Sequence, residues 1–138
     1  MARMRVTLML ADSAQECGGK LFILGGGWSV TGPEIPPSAV AMKIDVPWDQ
    51  ANRPHEWSLE LLTEDGLPIE VEGQALRVEG QFEVGRPPGT APGSYIDVPV
   101  AVNFGPFPLE TGRRYVWQLT IDDETNDDWS REFFVRSE

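Results

Sequence analysis

The feature that most constrains this chain is strict alternation of apolar and polar residues in short runs, repeated almost from end to end. "MRVTLMLA" sets Met4, Val6, Leu8 and Leu10 on one face. "SAVAMKIDV" does the same with Val40, Met42, Ile44 and Val46, against Ala41, Lys43 and Asp45. In "EWSLELLTEDG" the inward set is Trp57, Leu59 and Leu61, and the run ends on the turn signal Glu64-Asp65-Gly66. A period of two is the signature of a strand with one packed and one solvated face. No stretch carries a comparable stripe at helical spacing. "PWDQAN" is the single candidate for a helical turn and is too short to stand alone.

The later runs extend the pattern. "PIEVEGQALRVEGQFEVG" pairs Ile69 with Val71, Leu76 with Val78 and Phe82 with Val84, with glutamates between, and Gly73 and Gly80 where strands are expected to bend or bulge. "YIDVPVAVNF" turns Ile96, Val98, Val100, Val102 and Phe104 inward, and its Pro99, which has no N–H to donate, predicts an edge strand or a bulge. "RYVWQLTID" aligns Tyr115, Trp117, Leu119 and Ile121, and "REFFVR" closes the chain as a strand. The expected fold is all-β, an antiparallel sandwich of about eight or nine strands in Greek-key order, immunoglobulin-like or C2/jelly-roll-like. "LETGRRY" resembles the corner of immunoglobulin-like and fibronectin type III sandwiches. That resemblance implies a Tyr115 hydroxyl bonded back across the turn, with Leu109 packed beneath. Repeats and linkers are missing from the 138 residues, so residues 1–138 read as a single domain.

Charge sets the compartment and the partners. Asp and Glu number 22 against 11 Lys and Arg, a net charge of −11. Such a chain repels phosphate backbones and anionic bilayers, so neither nucleic acid nor membrane is an expected partner. One cysteine, Cys17, rules out an intrachain disulfide. The opening superficially mimics a secretory signal, but its uncharged apolar stretch runs only from Val6 to Ala11 before Asp12. A cytoplasmic location is expected.

Chemistry-bearing motifs are few. The glycines of "KLFILGGGWSVTGP" invite a phosphate-loop reading, yet Pro33 and Glu34 stand where a Walker loop needs Lys and Ser or Thr after Gly27 and Gly32. A dinucleotide fingerprint begun at Gly25 and Gly27 meets Val30 in its third position. The remaining reading is architectural: Gly25, Gly26 and Gly27 let the chain kink so that "KLFIL" and "WSVT" join different sheets, or form a flat patch for a partner's aromatic residue. In "DDETNDD", Asp122, Asp123, Glu124, Asp127 and Asp128 are hard-oxygen candidates for calcium, though an EF-hand register starting at Asp122 puts Asp127 at the glycine position and Phe133 at the bidentate glutamate. The alternative is a charged hairpin loop before the last strand. "PWDQANRPHEW" gathers Trp48, Arg53 and His55 into a possible ligand or carbohydrate platform, with Trp48 the expected exposed aromatic and Trp57 core. "GRPPGTAPG" reads as a protruding loop. Nucleophilic catalysis finds no G-x-S-x-G, and the lone His and lone Cys lie 38 positions apart.

Taken over most of its length, the chain resembles an uncharacterised family of small, cytoplasmic, all-β bacterial proteins, mainly actinobacterial, that open with "LADxAQ…GKLYILGGGW". The residues carrying the likeness are "LADSAQECGGKLFILGGGW", "IDVPWDQANRPHEWSLELLTEDG" and the "GRRYVWQLTID…FFVR" ending. Nine arginines against two lysines fit a GC-rich genome. No site residues carry over from that resemblance, and no catalytic residue or cofactor is expected apart from the calcium alternative. Two expectations follow: a non-enzymatic interaction module that binds a protein partner or itself through a sheet edge, the glycine region or the Trp48 loop, or a sandwich that binds calcium or carbohydrate.

Overall fold

The alternating runs become strands in the computed structural model, which describes residues 3–138, with the run from Pro68 to Gly85 broken into three. Among them the order is β1 (Arg5–Ala11), β2 (Ser13–Cys17), β3 (Lys20–Leu24), β4 (Val30–Thr31), β5 (Ser38–Val46), a 3-10 turn (Trp48–Gln50), β6 (His55–Thr63), β7 (Glu70–Val71), β8 (Gln74–Ala75), β9 (Arg77–Phe82), β10 (Ile96–Phe104), β11 (Arg113–Ile121) and β12 (Glu124–Val135). Twelve strands replace the expected eight or nine. The surplus comes from two-residue pieces and from a hairpin, β2–β3, that alternation alone does not separate from its neighbours.

The strands form four sheets, none closed and all antiparallel but for one pair: β1-β5-β10, β4-β12-β11-β6-β9, and the hairpins β2-β3 and β7-β8. Within them β4 alone runs parallel to its neighbour, β12. Both larger sheets turn one face to a common core. Leu8, Val40, Met42, Ile44 and Val46 come from the three-stranded sheet, and Leu59, Leu61, Trp117, Leu119, Phe133 and Val135 from the five-stranded one. Burying each such aliphatic side chain contributes roughly 1.5–3 kcal/mol, and truncating fully buried Leu59 to alanine would cost about 2–5 kcal/mol. The edge position expected for Pro99 is where it lies, in β10 opposite Lys43.

Two glycine readings are corrected. Gly80 neither bends nor bulges β9: the β6–β9 register runs through it unbroken, with Gly80 opposite Trp57. Its missing side chain makes room for the indole, since a Cβ there would lie 2.5 Å from Trp57 Cζ2. Gly73 lies in the turn between β7 and β8. At the corner before β11 the Tyr115 hydroxyl donates to the Glu110 carbonyl at 2.8 Å, and Leu109 packs against the core.

The outer face of the three-stranded sheet is lined by alanines: Ala39 and Ala41 of β5, with Ala101 of β10 beside them. Side chains this small let a second layer approach. The β2–β3 hairpin fills that space, with Ala14 buried and Leu21 packed against the alanines. It is tied down by one carboxamide. The Ala14 N–H donates to Asn103 Oδ1 at 3.1 Å, and Asn103 Nδ2 donates back to the Ala14 carbonyl at 2.8 Å.

Candidate functional site

Residues 48–55 and 122–128, separate in sequence, share one end of the five-stranded sheet. His55 opens β6 and is 2% exposed. Its Nδ1 lies 2.6 Å from Asp122 Oδ2, and its Nε2 lies 2.8 Å from the Gln50 carbonyl. Both neighbours are acceptors, so both contacts are hydrogen bonds only when both ring nitrogens carry protons. The ring also stacks on Phe82 at 5.1 Å. Asp122 Oδ1 accepts the Glu56 N–H at 3.0 Å. Partial burial works against the Asp122 carboxylate, but the bonds from His55 and the Glu56 N–H outweigh it, with the charges of His55 and Arg53 adding, and its pKa falls below the ordinary 3.8. Both His55 ring nitrogens therefore face protein partners. This pair clamps the β11–β12 turn to the start of β6.

The acidic cluster is not the loop that its composition suggests. Asp122 and Asp123 alone form the turn, both with positive φ (51° and 64°), and β12 starts at Glu124. Against β11 the register then jumps: Gln118 faces Ser130, and Thr120 faces Thr125. The extra residues form a wide bulge, held by Thr125 Oγ1 donating to the Leu119 carbonyl and Ser130 Oγ donating to the Asp127 carbonyl, both 2.8 Å. It turns Trp129 into the core at 5% exposure and leaves Asp127 and Asp128 facing solvent. Both Asp122 oxygens are already engaged. Among the described residues no three His, Cys, Asp or Glu side chains gather closely enough to hold a metal ion.

Trp48 differs from the exposed aromatic expected. It starts the 3-10 turn, is half-buried, and lies under the Arg86 guanidinium at 4.5 Å from the ring centre. Arg86 also donates to the Trp48 carbonyl at 3.2 Å (Nε) and 2.8 Å (Nη2). Arg86 belongs to the Gly/Pro-rich loop, which thus folds back over the tryptophan. Arg53 stays exposed.

The glycine run links β3 to β4, and these strands do belong to different sheets. Gly25 has φ +63°, and a Cβ there would collide with the Asp12 carboxylate. Only glycine meets both demands. The space above Gly26 is filled by Ile23 and Met9, 2.7 Å and 2.9 Å from where its Cβ would stand.

Upstream of the glycines lies a surface that alternation did not single out. Phe22, Ile23 and Leu24 of β3 are 58%, 40% and 70% exposed, and Met9 is 38% exposed. Phe22 and Leu24 project from the hairpin face opposite Leu21, away from the alanine layer. The signal was present in sequence as "LFIL", four apolar residues without alternation. A run of that kind fits a strand covered on both faces, but here only one face is covered.

The sequence matches the Family of unknown function (DUF6941) over residues 6–133. The chain belongs to this family. The exposed β3 and all but the ends of the first and last alternating runs fall inside the matched span. No curated protein and no solved structure matches the chain. Among the described residues no helix is long and apolar enough to cross a membrane.

Proposed function

We propose that this member of the family is a non-enzymatic, cytoplasmic interaction module, a Greek-key sandwich of the bacterial and mainly actinobacterial type its opening motif resembles. Its contact surface is the β2–β3 hairpin with the adjoining glycine turn. The observation that carries the reading is the exposed group Phe22, Ile23, Leu24 and Met9 on an otherwise acidic chain. Leaving one Phe or Leu in water forgoes about 1.5–3 kcal/mol of burial, and several together mark a surface that a partner covers. The Trp48–His55 loop is a weaker candidate, because Arg86 covers Trp48 and His55 is buried against Asp122.

The test is site-specific photocrosslinking in the native host. Benzoylphenylalanine at position 22 is expected to give a discrete adduct that the same probe at position 79, on the exposed side of β9, does not. Equal labelling at both positions, or none at either, contradicts the assignment.

A further inference from the structure

Which partner fits β3 follows from the direction of its backbone groups. Ala14 spends its N–H and C=O on Asn103, so both point away from β3. Ala14–Ile23 is therefore a non-hydrogen-bonded pair of the β2–β3 ladder. The alternation then makes Ser13–Leu24, Gln15–Phe22 and Cys17–Lys20 the bonded pairs, as a two-residue turn at Gly18–Gly19 requires. Leu21 and Ile23 direct their N–H and C=O groups outward. Among the described residues these groups have no hydrogen-bond partner.

We propose that β3 pairs antiparallel with β3 of a second copy, about a two-fold axis through Phe22. This names the partner for the interaction surface above and rests on that reading. In that register Leu21 faces Ile23 of the other copy, and Ile23 faces its Leu21. These are the residues with outward groups, so four hydrogen bonds form and the two hairpins become one four-stranded sheet. Phe22 meets its own copy in a non-hydrogen-bonded pair, where facing side chains come closest. A strand with this parity is its own complement, which an isologous interface requires.

Charge favours the same occupant. Lys20 is the only charged residue between Glu16 and Glu34, so two chains of net charge −11 can approach here. The register sets Lys20 opposite Leu24 of the copy, beside the Asp12 carboxylate that packs on Gly25. The other edges are blunted in the usual ways: β10 by Pro99, β9 by Arg77 and Glu79, β4 by its two-residue length, and β1 by lying against β12. β3 carries its one charge, Lys20, at its first position, and Leu21 to Leu24 present an apolar edge with neither proline nor charge.

The test uses the full chain with Cys17→Ser, so that one introduced thiol reports. Phe22→Cys places two thiols on the axis with Cα atoms about 4.5 Å apart, close enough for a disulfide. Leu24→Cys places them about 14 Å apart along the strands, where no disulfide closes. Under mild oxidation the first variant is expected to cross-link and the second to stay monomeric. Equal cross-linking of both, or of neither, overturns the proposal. Sedimentation equilibrium of the unmodified chain should show a reversible dimer of the 15.3 kDa subunit, and Phe22→Glu should abolish it. A wild type monomeric at all concentrations overturns self-pairing. If position 22 still photocrosslinks a different protein, the interaction surface stands and only its partner changes; if it crosslinks nothing, both readings fail.

Discussion

Replacing Gly80 by alanine tests whether β9 keeps a glycine for the sake of Trp57. A Cβ at Gly80 would stand 2.5, 2.6 and 2.7 Å from Trp57 Cζ2, Cε2 and Nε1. All three atoms belong to a rigid ring, and Trp57 is only 9% exposed, so the indole must shift as a body. Overpacking of this kind costs about 1–3 kcal/mol. Against it stands a gain of roughly 0.5–1 kcal/mol, because alanine loses less backbone freedom than glycine on folding. The net expectation for Gly80→Ala is destabilisation by about 0.5–2 kcal/mol, a fall in Tm of a few degrees. With Trp57→Leu already in place the clash is gone, and the same change should be neutral or stabilise. Urea unfolding followed by circular dichroism on the two single variants and the double variant gives the coupling directly. A coupling of about 1–3 kcal/mol, the cost of the clash itself, is expected. Additive effects would refute the explanation of Gly80.

The Asp122 pKa lies below its ordinary value, so its ion pair contributes stability that is present above pH 3.8 and lost as pH falls through the folded value. The stability gap between wild type and Asp122→Asn should therefore be widest near neutrality and close in acid; a gap that widens in acid contradicts the sign. His55→Ala removes a 2%-exposed ring together with its contacts to Asp122 and Phe82, for an expected loss of about 2–4 kcal/mol by chemical denaturation. Tyr115→Phe removes only the bond to Glu110 and should cost about 0.5–1.5 kcal/mol, read as a shift in denaturation midpoint with unchanged m-value.

The strands were legible because period two depends only on local order, and the Tyr115 corner was legible because its partner lies five residues away. What escaped the sequence depends on distant pairing. The partner of His55 is 67 positions on, and Arg86 comes back 38 positions to cover Trp48. The bulge in β12 hid behind acidic composition, since "DDETNDD" reads as a loop unless one knows that Trp129 must reach the core. The glycine run is legible as a crossing between sheets, because its lack of Cβ atoms is itself a local feature. The surface beside it was not, because the alanines on which the hairpin rests lie on β5 and β10, and their small size becomes informative only when those strands are side by side.

Amide hydrogen exchange measured as a function of protein concentration tests the central claim most directly. Leu21 and Ile23 point their N–H groups outward from β3, whereas Phe22 bonds inward to β2. If copies pair through this edge, protection at Leu21 and Ile23 should rise with concentration while Phe22 is protected throughout. Fast exchange at Leu21 and Ile23 at every concentration would contradict the account.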